Sequence, residues 1–496
     1  MPQNVEKSFN QVQAALKRGA TAVPLLRELP ADTLTPVAGF LRLRRGEEPA
    51  FLLESVEGGE QTARYSFLGA RPLETLTVRN GVLKYEAGDK RGILPGPPFS
   101  ALSRRIGRCH ALPESGLPPF CGGAVGHIGY EMIRHLEPKT GLSPAPDEDE
   151  ARLQIYANVA AFDQVKHRLL LIANILPDVY GAGRKAYGKA IDALDDMEAR
   201  FLKPEPRRPA RWSGRALFSA PRARMGAKAF QDGVRALKSH IRAGDIFQAV
   251  LSDRFDMPLR TDSFSVYRRL RMINPSPYMF YIGGKSETVL GASPEMLVRV
   301  SNGEVETRPI AGTRPRGKTE QEDRKLETQL LASVKERAEH LMLVDLGRND
   351  VGRVCVPGSV AVPTFMQVER YSHVMHIVSS VKGRLKRGAG PWDAFTACFP
   401  AGTVSGAPKI KAMELLGKLE REPRGLYAGA IVYNDFHGNL DSAIAIRSVS
   451  VRGKGARAVA RVQAGAGIVA DSRPAAELDE IRAKSNAMIQ AVREAE

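Results

Sequence analysis

Apolar positions along the chain recur with two distinct periods. From Glu320 to Leu346, Leu326, Leu330, Val334, Ala338, Leu341 and Met342 fall three to four residues apart or on the same turn, the spacing of one helical face. That pattern predicts a single long helix. Lys228 to Ala243 is amphipathic in the same way and stops at Gly244, which suits the left-handed position just past a helix end. A further helix is expected over Gly183 to Leu202, and a last one from near Pro474, where proline fits the first turn. Elsewhere the signal is that of strands. Phe51 to Ser55 is apolar until Glu54, and Val78 to Tyr85 alternates around the turn Asn80-Gly81. Phe120 to Tyr130 is Gly-rich and apolar, and Thr288 to Val300 and Ala428 to Val451 also read as strands. Helices and strands do not alternate regularly, and no repeat is present. The expected class is α+β, with large, mainly antiparallel sheets and flanking helices.

A chain of 496 residues is too long for one ordinary core, so two large domains or an intertwined pair are expected. A boundary is visible at 203–226, where Lys203, Arg207, Arg208, Arg211, Arg215, Arg222 and Arg224 face one acid, Glu205, among four prolines. This basic Pro-rich linker separates an N-terminal part, 1–202, from a C-terminal part, 227–496. It contributes to a formal charge of +17, which fits either nucleic acid or an acidic substrate. No nucleic-acid-binding motif accompanies it, so a solvated linker is the preferred reading and no nucleic-acid partner is expected. The first 20 residues lack an apolar signal core, and the longest apolar runs, such as Leu169 to Ile175, are too short to span a bilayer. Cys109, Cys121, Cys355 and Cys398 form no close pair, which argues against a zinc knuckle or a disulfide framework. A reduced, cytoplasmic enzyme without a membrane partner is expected.

Carboxylates supply the first candidate chemistry. Glu477, Glu480 and Lys484 share one face of the last helix, and Glu336, Glu339 and His340 share another. Two such helices suffice for one Mg²⁺, which takes only one or two protein carboxylates and completes its octahedron with water and substrate oxygens. Spacing alone favours two solvated helix faces with ordinary ion pairs. Around these acids lie glycine turns: Pro309-Ile310-Ala311-Gly312-Thr313, Gly402-Thr403 and Gly465-Ala466-Gly467. Backbone N–H groups in such turns bind carboxylates or phosphates. Each turn alone is weak, and neither a phosphate-binding P-loop nor a dinucleotide fingerprint is present.

In series the segments are specific. Gly244-Asp-Ile-Phe-Gln248, Gly291-Ala-Ser-Pro-Glu295, Pro309-Ile-Ala-Gly-Thr313, Lys335-Glu-Arg-Ala-Glu-His340, Asp345-Leu-Gly-Arg-Asn-Asp350, Tyr371-Ser-His-Val-Met-His376 and Gly465-Ala-Gly-Ile-Val469 occur in one order. The series resembles the chorismate-utilising enzymes, a family that includes anthranilate, aminodeoxychorismate, isochorismate and salicylate synthases. It covers nearly all of 227–496. Leu52-Leu-Glu-Ser55 and Arg64-Tyr-Ser-Phe-Leu-Gly69 extend it into the N-terminal part. The resemblance implies a chorismate-binding fold with an intertwined N-terminal regulatory part.

The resemblance also implies roles. Glu339 and Glu480 match Mg²⁺ ligands, with Glu336 and Glu477 beside them. Gly312, Thr313, Thr403, Tyr427, Arg447, Gly465, Ala466 and Gly467 match the substrate-binding set, with Lys484 near a carboxylate. Chorismate carries two carboxylates, so a metal and the guanidinium fork of Arg447 suit it. Glu295 matches the general acid that protonates the departing C4 hydroxyl, which requires a raised pKa. His376 matches an active-site histidine and is assigned to pyruvate loss and aromatisation; His373 is the nearby alternative. Gln248 stands where water-adding members have a lysine base, and a glutamine takes no proton at neutral pH. Ala311 stands where aminodeoxychorismate synthases generally have a lysine that attacks the ring. Together they select direct attack by ammonia at C2, giving anthranilate and pyruvate, the first step of tryptophan biosynthesis. The alternative is aminodeoxychorismate synthase.

A second site is implied by Leu53, Glu54 and Ser55 with Pro277, Tyr278 and Met279, which resemble the family's tryptophan-binding segment. Glu54 or Ser55 would take the ligand's ammonium, and the others would line an indole pocket for feedback inhibition. No cysteine sits in a Gly-x-Cys-x-Gly elbow. A separate glutamine amidotransferase subunit is therefore expected to deliver ammonia, in a heterotetramer of two large and two small subunits. The sequence departs from the family's usual residues at Ser333, Val334, His127 and Ile481.

Overall fold

A computed structural model of the chain describes residues 7–55, 64–144, 146, 148–181, 183–203, 220–371, 374–420 and 422–495. Residues 204–219 of the expected linker and His373 lie outside them. Two 12-stranded sheets carry the fold, and their pairings are antiparallel throughout the described residues. The first sheet runs Val23–Pro30, Arg168–Ile175, Asn158–Asp163, Tyr65–Ala70, Ala50–Glu54, Tyr278–Gly283, Glu287–Ser293, Ser448–Arg452, Val459–Ile468, Gln248–Pro258 and Arg222–Ala223, with Gly406–Ala407 beside Gln248–Pro258. The second runs Ile310–Pro315, Val374–Arg384, Glu304–Thr307, Met296–Ser301, Leu440–Ile444, Ala430–Asp435, Gly123–Ile128, Ala151–Tyr156, Glu74–Arg79, Val82–Ala87 and Lys90–Leu94, with Ala361–Arg370 beside Val374–Arg384. Each sheet takes its strands from both sides of the linker. The joins are Leu53 opposite Phe280 in the first sheet and Gly126 opposite Val432 in the second. The expected α+β class with large antiparallel sheets is confirmed.

Burial explains the apolar runs. In Arg168–Ile175, Leu169, Leu171 and Ala173 face one core against helices, while Leu170 and Ile172 face a second core between the sheets. A strand covered on both faces reads as continuous apolar sequence, not as an alternation. Phe51, Phe120, Tyr156 and Phe280 fill the layer between the sheets, with Phe51 and Tyr156 edge to face at 4.7 Å. Each such side chain fully removed from water contributes about 1.5–3 kcal/mol.

Three expected helices appear as Arg184–Phe201, Ala227–Arg242 and Pro474–Glu494, and Gly244 takes φ +81° just past the second. The single helix expected over Glu320 to Leu346 is two, Glu320–Ala332 and Val334–Gly352. Ser333 leaves helical geometry between them and accepts the Glu336 N–H, so it caps the second. The break rotates the buried face: Leu330 packs with Met375 and Ile377, whereas Val334 is 83% exposed. Thr288 to Val300 and Ala428 to Val451 are likewise not single strands. The first divides at Pro294-Glu295, between Glu287–Ser293 in one sheet and Met296–Ser301 in the other. The second crosses at Ala445 to Arg447, between Leu440–Ile444 and Ser448–Arg452. Both crossings carry candidate site residues.

Candidate active site

The two crossings meet at one cavity of about 280 Å³. Its walls include Gln248, Glu295, Ala311, Thr313, Glu339, His376, Thr403, Tyr427, Arg447, Gly465, Gly467 and Lys484. Segments more than 200 residues apart in sequence thus converge on one volume. Gly312, Glu336, Ala466, Glu477 and Glu480 lie outside its lining.

Glu295 is fixed by its own backbone. Ser293 Oγ donates to the Ile444 carbonyl at 2.7 Å, and the Glu295 carbonyl accepts the Ile444 N–H at 3.0 Å. The crossing places the side chain in the cavity wall. Thr403 Oγ1 donates to the carboxylate at 2.9 Å. Burial raises the Glu295 pKa to about 7 against the opposing effects of Thr403 and the Lys484 charge.

His376 is oriented by a bulge. Ala311 pairs with Ile377 and Thr313 with His376, so Gly312 is the extra residue. Its φ of +67° suits glycine and turns its carbonyl onto the ring. His376 Nδ1 lies 3.0 Å from that carbonyl and 3.0 Å from Thr313 Oγ1. A carbonyl only accepts, so Nδ1 carries the hydrogen and Nε2 keeps a bare lone pair. Burial lowers the pKa of the ring, which favours that neutral form.

Arg447 holds φ +50° at the second crossing and donates from Nη1 to the Lys484 carbonyl at 2.9 Å. Its guanidinium has no carboxylate partner among the described residues, and burial lowers its pKa. The Glu480 charge acts on it without direct contact, and a desolvated cation that no carboxylate touches is a receptor for an anion. Tyr427 is 7% exposed. Gly465 is required beside it, since a Cβ there would lie 2.5 Å from the Tyr427 hydroxyl. Lys484 Nζ is engaged by Glu480 at 2.6 Å and by the Gly465 carbonyl at 3.1 Å.

The acidic residues come together as an electrostatic group. Burial raises the Glu339 pKa, and the charges of Glu336 and Glu480 raise it further. Burial and the Glu480 charge raise that of Glu477. Glu336 is partly neutralised by Arg314 at 3.2 Å. Among the described residues no three His, Cys, Asp or Glu side chains already form a closed ligand set. Mutually repelling carboxylates on two helices nonetheless fit a hard divalent ion that uses few protein ligands.

Gln463, Leu343 and Ile446 also line the cavity and were absent from the expected set. Gln463 was legible: it precedes Gly465 and Gly467 by two and four residues on one strand face.

A larger cavity, about 710 Å³, opens between the sheets. All six residues of the expected second site, Leu53, Glu54, Ser55, Pro277, Tyr278 and Met279, line it. The Glu54 carboxylate is already held by Tyr267 at 2.5 Å and Arg271 at 3.1 and 3.2 Å. Arg299 and Asp441, opposite each other on the paired strands Met296–Ser301 and Leu440–Ile444, also line this cavity and were not anticipated.

Comparison with known proteins places the arrangement. Residues 48–490 match the family described as chorismate binding enzyme, and the chain belongs to that family. It is 43% identical to anthranilate synthase component 1 of Acetivibrio thermocellus, across 95% of this chain and 96% of that protein. It is 44% identical to the protein of the same name from Streptomyces coelicolor, across 97% and 91%. The crystal structure of anthranilate synthase component I from Streptococcus pneumoniae superposes with a TM-score of 0.77 at 36% identity, covering 93% of this chain and 98% of that one. The family resemblance drawn from the motif series is borne out. No helix among the described residues is long and apolar enough to cross a membrane.

Proposed function

We infer that this chain is the large subunit of an anthranilate synthase, which converts chorismate and ammonia to anthranilate and pyruvate. The observation that carries this reading is that, among the described residues, no unengaged lysine lines the cavity around Glu295. Gln248 and Ala311 both line the cavity, and its lysine, Lys484, is held by Glu480 and a carbonyl. The cavity therefore offers no amine to activate water or to attack the ring. A nucleophile that is reactive as it arrives, such as ammonia, suits it.

The residues divide the work as follows. Arg447 grips one chorismate carboxylate through charge-assisted hydrogen bonds. Glu295, protonated near neutral pH, gives its proton to the departing C4 hydroxyl, which leaves as water while ammonia bonds to C2 and the new ammonium releases a proton to solvent. The bare Nε2 of His376 then accepts the C2 proton as the C3–O bond breaks; the ring becomes aromatic, and the departing enolpyruvate takes a proton at its methylene carbon to become pyruvate. Glu339 and Glu480, with Glu336 and Glu477 beside them, would hold Mg²⁺, which when bound neutralises the second carboxylate. Thr313, Tyr427, Gly465 and Gly467 shape the walls, and Gly312 acts from outside them through its carbonyl on His376.

The larger cavity is read as a tryptophan site, with Pro277, Tyr278 and Met279 beside the indole and Ser55 toward the ammonium. A separate glutaminase subunit, suggested by the "component 1" in the relatives' names, would supply ammonia from glutamine. The test is the purified chain with chorismate, ammonium at alkaline pH and Mg²⁺, followed by anthranilate fluorescence. A non-aromatic amino product instead would point to aminodeoxychorismate synthase.

A further inference from the structure

The two cavities share a wall. Pro294 and Ile310 line both. Tyr371 and Glu369 line the larger cavity, yet both lie against His376 of the smaller one. The Tyr371 ring meets the imidazole edge to face, with centroids 5.6 Å apart and planes at 62°. Glu369 stands opposite His376 in the strand register. The Tyr371 hydroxyl donates to one oxygen of Glu369 at 3.0 Å, and Arg308, another wall residue of the larger cavity, binds the other. The Tyr371 backbone is anchored on both sides: its N–H donates to the Val374 carbonyl at 2.8 Å, and its carbonyl accepts from Arg316 at 2.7 Å.

These contacts act on a degree of freedom that hydrogen bonding leaves open. The bonds from Nδ1 to Gly312 and Thr313 fix one corner of the His376 ring. They do not fix its tilt about that corner, and hence the direction of the Nε2 lone pair. The edge-to-face contact with the Tyr371 ring bears on that tilt. The same ring forms part of the floor of the larger cavity, so an occupant that moves it alters the tilt.

We propose that Tyr371 is a positioning residue that holds His376 in its working tilt and transmits occupancy of the larger cavity to it. The transmission rests on reading that cavity as a tryptophan site. Coupling of this kind requires the ligand to bind the two ring positions with different free energy.

The test compares Tyr371→Ala and Tyr371→Phe with the unaltered chain, with thermal melting to verify folding. Tyr371→Ala should lower kcat roughly tenfold or more while moving the chorismate KM less than about threefold, because His376 acts in the chemical step and not in capture. Tyr371→Phe keeps the ring edge and should restore most of that kcat. In Tyr371→Ala, calorimetry should still detect tryptophan, while added tryptophan should lose most of its effect on rate. A Tyr371→Ala chain with full kcat, or one inhibited in proportion to its bound tryptophan as the unaltered chain is, overturns the proposal. If the unaltered chain binds no tryptophan in the calorimeter, the cavity reading fails and the transmission with it. The kcat–KM split and the Phe rescue then still decide the positioning role.

Discussion

Thr403 Oγ1 donates to the Glu295 carboxylate across 2.9 Å, joining a short 3₁₀ turn to the crossing between the sheets. The bond favours the ionised carboxylate, burial favours the acid, and burial prevails, at about 7. A general acid must be protonated, so kcat/KM for chorismate at fixed free ammonia should fall as pH rises through about 7. Thr403→Val removes the donor, raises the pKa further and should move that limb to higher pH. Glu295→Gln should lose about 10²–10⁴ in rate. A limb that stays in place in Thr403→Val would assign it to another group.

The same shift has a stability consequence. A carboxyl whose folded pKa lies above its unfolded value of 4.5 binds protons on folding between 4.5 and about 7. Its contribution is fully present below 4.5 and is lost as pH rises through about 7. Glu295→Gln should therefore melt at a higher temperature than the unaltered chain at pH 8, with the gap closing toward pH 4.5. A gap independent of pH would detach the effect from this carboxyl.

Arg447 offers a desolvated guanidinium with no carboxylate partner among the described residues. A charge-assisted hydrogen bond is worth about 1.5–3 kcal/mol, so Arg447→Ala should cost roughly 10- to 150-fold in kcat/KM for chorismate. Arg447→Lys should recover only part of this, since an ammonium lacks the planar two-pronged fork. Steady-state kinetics with varied chorismate provide the measurement. Full recovery by lysine would show that charge alone matters there.

How far the sequence foretold this site depends on what kind of feature each part is. Helical periodicity found Arg184–Phe201, Ala227–Arg242 and Pro474–Glu494 because each turns one continuous apolar face to the core. The α+β class followed from the irregular order of elements. The sheet crossings at Glu295 and Arg447 were invisible, because apolar runs continue through both: Ala292 and Met296 are buried, as are Ala443 and Val449, in two different sheets. Hydropathy records burial, not the sheet that provides it. The candidate residues were therefore named from motif resemblance, while their meeting point depends on crossings that the pattern did not reveal. The orientation of His376 also needed the bulge at Gly312, a one-residue register shift with no hydropathy signature.

Ser333 illustrates the converse error. Its position within a periodic stretch hid a cap, and the Glu336 N–H it accepts belongs to the helix that carries Glu336 and Glu339. Ser333→Ala should remove a cap worth about 0.5–2 kcal/mol. The effect should appear as a lower urea midpoint. Ser333→Asp, which retains a capping oxygen and adds charge favourable at a helix N-terminus, should restore it. Equal loss in both variants would mean that the break is set by packing alone.

Glu339 tests the proposed metal by opposing signs. Its pKa is raised by burial and then by the Glu336 and Glu480 charges, so at pH 8 the ionised side chain is under strain in the metal-free protein. Neutralising it relieves that strain, and Glu339→Gln should melt higher than the unaltered chain when both are treated with chelator. A ligand of the folded state stabilises by mass action, so Mg²⁺ should raise the melting temperature of the unaltered chain. It should raise that of Glu339→Gln much less, and restore anthranilate formation only to the unaltered chain. Protons compete for the same oxygens, so Mg²⁺ affinity should fall as pH drops through the raised pKa values of Glu339 and Glu477. Asp479→Asn, at an exposed position of Pro474–Glu494, the helix that carries Glu477 and Glu480, should change none of these readings. A Glu339→Gln chain that Mg²⁺ stabilises as fully as the unaltered one would remove Glu339 from the metal site.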